Sequence, residues 1–211
     1  MDIRLDEEEV RVLGALVEKE ITTPEYYPLS LNALLSACNQ KSNRDPVMQF
    51  DEESLERAIY TLREKGLLLS ISGAGSRVAK YGQRLAERLN LGRREVAVLC
   101  ELMLRGPQTL GELRTRADRM HHFDDLAEVE SVLDRTPELF TKLARRPGEK
   151  EARYAHLLSG TPAAGPVPDA ASEPVAPRPD RIAALEAEVA NMRQELDDLK
   201  QQFAGFRRQF E

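Results

Sequence analysis

The sequence has few cysteines, few histidines and no tryptophan: its 211 residues include 2 cysteines and 3 histidines. Cys38 and Cys100 each lie within an apolar helical pattern. Neither has another cysteine or a histidine nearby at the spacing of a metal site. Thiols stay reduced in the cytosol. We therefore expect two reduced cysteines in the core of a cytoplasmic protein and no bound metal.

Long hydrophobic runs and catalytic motifs are also missing. No apolar stretch approaches the length of a transmembrane helix, and residues 1–4 do not begin a secretory signal. There is no glycine-rich phosphate loop, nucleophile elbow or catalytic carboxylate pair. His121 and His122 are adjacent, a spacing that rarely lets both rings reach one ion. We expect no membrane partner, no enzymatic activity and no cofactor.

Acidic residues exceed basic ones by 36 to 30, a formal net charge of −6. Residues 1–90 carry 12 Lys and Arg against 15 Asp and Glu, and residues 91–160 carry 12 against 12. Residues 161–211 carry 6 against 9. The middle segment is thus neutral overall and has room for a local basic face. The net charge weakens the case for a nucleic-acid partner and leaves it open.

Apolar periodicity predicts three helices and a β-hairpin, and then the same order again. Residues 67–71 and 77–81 are the strands of the first hairpin, around a glycine-rich turn. Residues 95–102 repeat the pattern of residues 9–16, and residues 152–154 repeat 79–81, so the offset shrinks from 86 to 73. Shrinking offsets indicate two whole units with loops of different length. The predicted helix caps are Asp6, Ser30, Asp51, Thr109 and Asp125.

Three helices followed by a hairpin is the order of a winged helix-turn-helix. The sequence therefore predicts a mainly α fold of the α+β type with two tandem winged helix-turn-helix domains. Six prolines among Ala, Gly and Ser indicate a linker after the second domain. The predicted boundaries are 1–90 and 91–158 for the two domains, 159–180 for the linker and 181–211 for a C-terminal coiled-coil helix.

The C-terminal helix has an uninterrupted apolar seam at spacings of three and four. Glu188 with Arg193 and Glu195 with Lys200 fall at the positions of attractive pairs in a parallel coiled coil. We expect a homodimer through residues 181–211; folding of this helix back onto its own domains is the alternative. The predicted seam residues are Ile182, Leu185, Val189, Met192, Leu196, Leu199 and Phe203.

The turn between the second and third helices of the first unit has an unusual composition. Residues 39–45 read Asn-Gln-Lys-Ser-Asn-Arg-Asp, more specific chemistry than solubility requires. For Asn39, bonds that hold the turn are the favoured interpretation; for Lys41 and Arg44 a structural and a contact role are equally open. The corresponding turn, residues 118–124, lacks these residue types, and this difference favours a contact surface. The predicted contact residues are Asn39, Gln40, Lys41, Asn43 and Arg44.

The second unit carries a larger group of basic residues, on its second helix and its hairpin. Such a group can track a phosphate backbone. Acidic residues lie among them, as on ordinary ion-paired surfaces, so both interpretations stay open. In the first unit, the third helix is too acidic to suit a phosphate backbone. The predicted contact residues of the second unit are Arg114, Arg116, Arg119, Arg145, Arg146 and Arg153.

Several segments carry a family resemblance. They are residues 13–24, 27–34 and 38–48, then 104–109, 111–116 and 146–158. Over about residues 5–160 the sequence resembles the YceH-like family of uncharacterised bacterial proteins. The resemblance implies tandem winged helices and implies no activity, ligand or binding residue. Leu110 stands where the family often has proline, and residues 134–139 are shorter than usual.

Two hypotheses of function follow. The first is a cytoplasmic regulator that binds duplex DNA, because winged helices most often bind DNA. The second is a scaffold that binds another protein through its winged-helix surfaces, which the acidic composition favours. The sequence favours the first by a small margin.

Overall fold

The helices of the first half of the described chain, residues 5–90, begin at side-chain caps. The computed structural model describes residues 3–71, 78–145 and 148–160. The three main helices of the first half are α1 (Glu7–Thr22), α2 (Leu31–Cys38) and α3 (Glu52–Glu64). The side chains of Asp6, Ser30 and Asp51 each accept a hydrogen bond from the backbone N–H three residues later, which confirms the predicted caps.

A three-stranded antiparallel sheet completes the first half. Its strands are β1 (Leu29–Ser30), β2 (Leu68–Ile71) and β3 (Lys80–Gln83). β3 lies between the other two, with Leu69 opposite Gly82 and Ile71 opposite Lys80. The sequence does not predict β1, because two residues are too few to show an alternating pattern. The short helix α4 (Leu85–Leu89), which follows β3, is likewise not predicted.

The second half, residues 91–160, has the same order of elements. Thr109 caps α6 (Leu110–Ala117) and Asp125 caps α7 (Leu126–Arg135), as predicted. Gln108 forms an isolated bridge with Tyr154 on the far side of β5 (Tyr154–His156), so the second sheet is smaller than the first. The described region is therefore helix-rich with two small antiparallel sheets, which confirms the α+β class. The elements are α5 (Arg93–Arg105), α6 (Leu110–Ala117), α7 (Leu126–Arg135), β4 (Phe140–Lys142) and β5 (Tyr154–His156).

Helix α1 lies at the centre and is buried from Glu9 to Glu18. It contacts α2, α3 and β3 of its own half and α5 of the second half. A helix buried on all sides is normally apolar all round, yet three charged side chains of α1, those of Glu9, Arg11 and Glu18, are 1–2% exposed. Each of them needs a polar partner. Glu9 pairs with Lys65, whose Nζ lies 2.6 Å from both carboxylate oxygens.

The close contact between α1 and α5 depends on Gly14. A Cβ at this position would lie 3.0 Å from Cδ2 of Leu104 and 3.2 Å from Cβ of Met103. Sγ of Cys100 lies 3.5 Å from the carbonyl oxygen of Gly14. Cys100 and Cys38 are both free and buried, as predicted. The two halves therefore share one hydrophobic core, with α1 and α5 packed at its centre.

Several predictions lie outside the described residues. These are the linker from residue 161 onward, the heptad helix with its seam residues, and Arg146. The residues that are described belong to one compact unit. None of the helices in this part of the chain is long and apolar enough to cross a bilayer.

Candidate functional site

The loop between α2 and α3 holds its shape through bonds to its own backbone. Nδ2 of Asn39 donates to the carbonyl oxygen of Phe50 at 2.9 Å, and Oδ1 of Asn39 accepts from the backbone N–H of Phe50 at 2.7 Å. Asn43 adopts a φ of 57°, a left-handed conformation that asparagine tolerates better than most residues. Asn39 thus has the structural role that the sequence favours for it.

Arg44 is buried, which corrects the expectation of a surface contact. Its side chain is 0% exposed and pairs with the 1% exposed side chain of Glu18. Nη1 lies 3.2 Å from Oε1 and Nη2 lies 2.5 Å from Oε2. Nη2 also donates to the carbonyl oxygen of Ala37 and to Oε1 of Gln40, each at 2.9 Å. Every one of these partners is internal, so the Arg44 guanidinium is not presented to a ligand.

The ion pair continues into the second half of the chain. Nη1 of Arg119 lies 2.6 Å from Oε1 of Glu18, and Nη2 of Arg119 lies 2.9 Å from Oε1 of Glu101. Oε2 of Glu101 lies 3.2 Å from Nε of Arg105, a contact between charges without hydrogen-bond geometry. Nη2 of Arg105 donates to Oδ1 of Asn43 and so closes the chain of contacts. We call this set the joint cluster; its members are Glu18, Asn43, Arg44, Glu101, Arg105 and Arg119.

The charges of the joint cluster stabilise one another against burial. Burial acts to raise the pKa of Glu18, and the hydrogen bond and charge of Arg44, together with the charge of Arg119, outweigh it and lower that pKa. For Arg119, burial acts to lower the pKa, and the charges of Glu18 and Glu101 raise it overall. Removing one partner of a buried pair typically costs roughly 3–5 kcal/mol, because the other charge is left alone. The cluster thus ties the two halves together through charge.

Hydrogen bonds to backbone carbonyl oxygens add to the contact between the two halves. The N–H of Asp45 donates to the carbonyl oxygen of Leu104 at 3.0 Å. Arg11 has no carboxylate partner among the described residues, and its Nη2 donates to the carbonyl oxygen of Pro46 at 2.6 Å. Burial, and then the charge of Arg44, lower the pKa of Arg11. The loop is therefore bonded to both α1 and α5 and is no free surface turn.

Three of the predicted contact arginines of the second half are held by internal bonds. Arg114 donates to the carbonyl oxygens of Phe123 at 3.1 Å and Asp124 at 2.9 Å. Arg116 and Arg153 share the carboxylate of Glu112, at 3.3 and 2.8 Å. Nη1 of Arg116 also donates to Oε1 of Gln108 at 2.7 Å. The ordinary ion-paired interpretation of this surface thus fits Arg116 and Arg153, and Arg114 is held by backbone carbonyl oxygens.

Lys41 and Arg145 differ from the other predicted contact residues. Both are exposed, and neither has an ion-pair or hydrogen-bond partner for its side chain within the part of the chain that the structure describes. Arg146, beside Arg145, lies outside the described residues. Of the predicted contact set, the structure therefore leaves these two cations, one in each half, open to a partner.

The outward face of α3 is predominantly acidic, whereas the exposed charges of α7 balance. α7 follows the exposed pair Asp124 and Asp125, and its own exposed charged residues are Asp134 and Arg135, one of each sign. On α3, Arg57 lies 3.8 Å from Glu53 and so offsets a neighbouring charge on its own helix. The other exposed charged residues of α3 are Glu52, Glu56, Arg63 and Glu64.

The paired histidines have separate surroundings. The ring of His121 packs edge-on against Phe123 with 4.8 Å between centroids. His122 lies between Asp118, 2.6 Å from Nδ1, and Asp124, 3.5 Å from Nε2. The hydrogen bond and charge of Asp118 raise the pKa of His122. Among the described residues no group of three or more His, Cys, Asp or Glu side chains is arranged to hold a metal ion.

Sequence reasoning missed the two acids of the joint cluster. Glu18 follows Val17 in the apolar pattern of α1, and Glu101 lies between Cys100 and Leu102 in that of α5. Both are buried, at 1% and 0% exposure. A carboxylate inside an apolar helical pattern signals a buried pair, because such a charge is costly without a partner. That signal was present in the sequence; the partner on the other half was not readable from it.

Comparison with known proteins places the chain in a family. Residues 5–149 match a family model described as a protein of unknown function, DUF480. The chain belongs to this family. It is 57% identical over 214 residues to a UPF0502 protein of Solibacter usitatus, with 100% of both chains covered. A UPF0502 protein of Citrifermentans bemidjiense is 61% identical over 166 residues, 77% of each chain. The UPF0502 protein of Geobacter sulfurreducens is 53% identical over 220 residues, again with 100% of both covered.

Proposed function

We propose that this DUF480 protein is a non-enzymatic tandem winged-helix protein of the cytoplasm that acts by binding another protein. Each half has three main helices followed by a hairpin, the order of a winged helix-turn-helix. The YceH-like motifs of the sequence support the same architecture. In this assignment α3 and α7 are the third helices, which in DNA-binding members of the class enter the major groove.

The observation that carries the proposal is the disposition of charge. Affinity for duplex DNA comes largely from Lys and Arg side chains that neutralise phosphates. The third helix of the first half, α3, instead turns mainly carboxylates outward, among them Glu52 and Glu56, and the exposed charges of α7 are one of each sign, Asp134 and Arg135. Bringing the α3 face to a phosphate backbone sets like charges against each other. A basic surface on another protein suits this face better.

The internal bonding of the arginines supports the same choice. Arg44 and Arg119 neutralise Glu18 in the joint cluster, and Arg116 and Arg153 share Glu112. Using these side chains on phosphates would require breaking their pairs, of which that between Arg44 and Glu18 is buried, and would leave Glu18 without a partner. The arginines therefore stabilise the protein and add little positive electrostatic potential at its surface.

A titration of the full-length chain with duplex DNA tests the proposal against its competitor. Exposed Lys41 and Arg145 are the observation that favours DNA, and few cations of this kind give little affinity. We expect no saturable binding at about 50 mM salt. Binding that falls steeply as salt rises, and that weakens in Lys41→Ala and Arg145→Ala, would contradict the proposal.

Recovery of a partner gives the positive test. A tagged full-length chain should retain a protein in stoichiometric amount from the native cytosol, and the charge-reversed variant Glu53→Lys/Glu56→Lys should lose it. Reversal of exposed charges leaves stability nearly unchanged, so the variant reports on the surface. Recovery of nucleic acid alone, or equal recovery by the variant, would count against a protein-binding α3 face.

The heptad pattern of residues 181–211 supports a homodimer as the assembled form. The seam residues lie outside the described residues, so the pattern alone carries this part of the proposal. In sedimentation, the full-length chain should have dimer mass and Leu185→Lys/Leu196→Lys monomer mass, because lysine in the seam separates the helices. A dimer that survives both substitutions would place the interface elsewhere.

A further inference from the structure

A cavity of about 170 Å³ lies within the compact body, among elements of both halves. Its wall is formed by the beginning of α1, the α2–α3 loop, the end of α5 and strand β5. Sites for drug-sized ligands span roughly 300–1,000 Å³, so this cavity suits a smaller molecule. The charges, hydrogen-bond donors and apolar groups of its wall indicate the class of that molecule.

Arg11, in the wall of this cavity, is a buried cation without a carboxylate partner in the described part of the chain. It is 2% exposed. Its hydrogen bonds go to backbone carbonyl oxygens, those of Cys38 at 3.4 Å, Pro46 at 2.6 Å and Leu104 at 3.5 Å. Its Nε is buried and has no hydrogen-bond partner among the described residues. A buried charge is costly without a counter-charge, and arginine suits a carboxylate because its planar group can donate to both oxygens.

The same wall contains a second unpaired nitrogen, on a residue of the other half. Nδ1 of His156, in β5, is buried and has no hydrogen-bond partner within the residues that the structure describes. Burial lowers the pKa of His156 to about 4, so at neutral pH the ring is uncharged and one of its nitrogens is a donor. Native proteins leave few buried polar atoms unpaired. Two such atoms on residues that line one cavity indicate a ligand that accepts hydrogen bonds.

The equivalent positions of the other copy have neither feature. At the offset of 86 seen in the sequence, Arg11 corresponds to Ala97, which is buried. At the offset of 73, His156 corresponds to Gln83, whose side-chain amide donates to Glu20. The repeated unit therefore requires neither a buried arginine nor an unpaired ring nitrogen at these places.

The rest of the wall combines apolar groups with two carboxylates. Met48 and Met103 line the cavity, and so do Glu7 and Asp45. Both acids are exposed, and neither side chain has an ion pair or hydrogen bond within the described residues. With His156 neutral, the charged groups of the wall are these two carboxylates and one guanidinium. A simple anion would meet two like charges, whereas a molecule with a carboxylate and an ammonium group has a partner for each sign.

We propose that this cavity binds a free amino acid with an apolar side chain. The carboxylate of the ligand accepts hydrogen bonds from Arg11 and His156. Its ammonium group lies beside Glu7 and Asp45, and its side chain packs against the apolar part of the wall. Because both halves line the cavity, the bound ligand stabilises the contact between them. The site is separate from the α3 surface of the proposed function.

Thermal unfolding of the full-length protein with each of the common L-amino acids tests the proposal. At about 10 mM, one or more of the apolar amino acids should raise the midpoint by about 2–4 °C or more, because a ligand of the folded state stabilises it. Calorimetry then compares the amino acid that binds with its deaminated acid and its decarboxylated amine. For leucine these are 4-methylpentanoate and 3-methylbutylamine. Each should bind about tenfold more weakly or worse, because each leaves one set of charges unpaired.

Two pairs of substitutions locate the site. Glu7→Gln/Asp45→Asn removes both carboxylates of the wall at exposed positions, and should weaken binding of the amino acid by about tenfold without weakening that of the deaminated acid. Glu52→Gln/Glu56→Gln is the matched control. It removes two exposed carboxylates from α3, where Glu52 follows the cap of its helix as Glu7 does on α1, and should leave binding unchanged. Unfolding of each variant without ligand verifies the fold.

Three results would overturn the proposal. If no apolar amino acid shifts the midpoint, the cavity does not bind this class of ligand. Equal affinity for the amino acid and its deaminated acid would show a site for a plain carboxylate, with no role for the two acids. Equal binding by the two variant proteins would place the amino acid elsewhere on the molecule.

Discussion

The two halves of the molecule share one order of elements and use it differently. In the first half the α2–α3 loop contributes Arg44 to the joint cluster, where it pairs with Glu18. In the second half the corresponding turn contributes Arg119 to the same carboxylate from the other side. The first hairpin exposes Leu69 and Ile71, whereas the two strands of the second, β4 and β5, expose no large apolar residue. In a tandem arrangement each copy packs against a different neighbour. Equivalent positions in the two copies therefore differ in burial and in bonding partners.

The largest effect is expected from the carboxylate shared by both halves. Glu18→Gln should lower the free energy of unfolding by roughly 3–5 kcal/mol, because Arg44 stays buried without a counter-charge. The double variant Glu18→Leu/Arg44→Met should lose less than Glu18→Gln alone, since it leaves no lone charge from that pair. Urea unfolding of the parent protein and of both variants measures the three free energies.

An exposed ion pair serves as the control for this comparison. Glu87, paired with Arg84 at 2.6 Å on the surface, should tolerate Glu87→Gln with little change, because exposed pairs contribute little to stability. Equal losses for Glu18→Gln and Glu87→Gln would show that the joint cluster is no more important than a surface pair.

The free energy of unfolding should depend on pH in opposite directions through two histidines of the second half. Burial lowers the pKa of His156 to about 4 from its ordinary 6.5. Because the folded-state pKa is depressed, the stabilisation is present above pH 6.5 and is lost as the pH falls toward 4. The loss should be about 2–3 kcal/mol. His156→Gln, which introduces the residue found in the first half at Gln83, should abolish this loss; urea unfolding across the pH range measures it.

His122 should change stability with pH in the opposite direction to His156. Its pKa is raised by Asp118, so its contribution is present below its ordinary pKa and is lost as the pH rises through the raised value. His122→Asn should therefore change the pH profile in the other direction and only slightly, because this side chain is exposed. A His156→Gln protein with the same acid sensitivity as the parent would refute the assignment to His156.

Two glycines should respond to alanine with opposite signs. Gly14→Ala places a Cβ against Leu104 and Met103 and should cost about 1–3 kcal/mol through overpacking. Gly111, in α6, has only Oγ1 of Thr109 within reach of a new Cβ, at 4.0 Å. Gly111→Ala should therefore raise stability by roughly 0.5 kcal/mol, because alanine favours the helix. Thermal unfolding measures both; stabilisation by both changes would mean that α1 and α5 are not tightly packed.

The smallest effect is expected at Lys41, three residues before Arg44. Lys41→Ala should change the free energy of unfolding by less than about 0.5 kcal/mol, as for other exposed sites. Arg44→Ala should be strongly destabilising, because it leaves Glu18 with Arg119 alone. Urea unfolding of the two variants compares a surface cation with a buried one within the same loop. Similar values for both would contradict the burial of Arg44.

Local signals in the sequence predict most of the fold. Asp6, Thr109 and Asp125 mark their helices correctly, because a cap depends on residues within one turn. The contact site was less predictable. The unusual composition of residues 39–45 indicated a special role, and comparison with residues 118–124 favoured an outside partner. The partner of Arg44 lies on α1, and the cluster is completed from α5, a long-range arrangement that no local pattern encodes.

The two halves form one compact body, joined through α1, α5 and the joint cluster. Because the chain has no tryptophan, Tyr60→Trp and Leu126→Trp provide separate fluorescent reporters at exposed sites of the first and second half. We predict that urea unfolding of the two proteins gives coincident transitions, and that adding Glu18→Gln lowers both midpoints equally. Two separated transitions in the parent background, or a Glu18→Gln shift confined to the first half, would contradict the account.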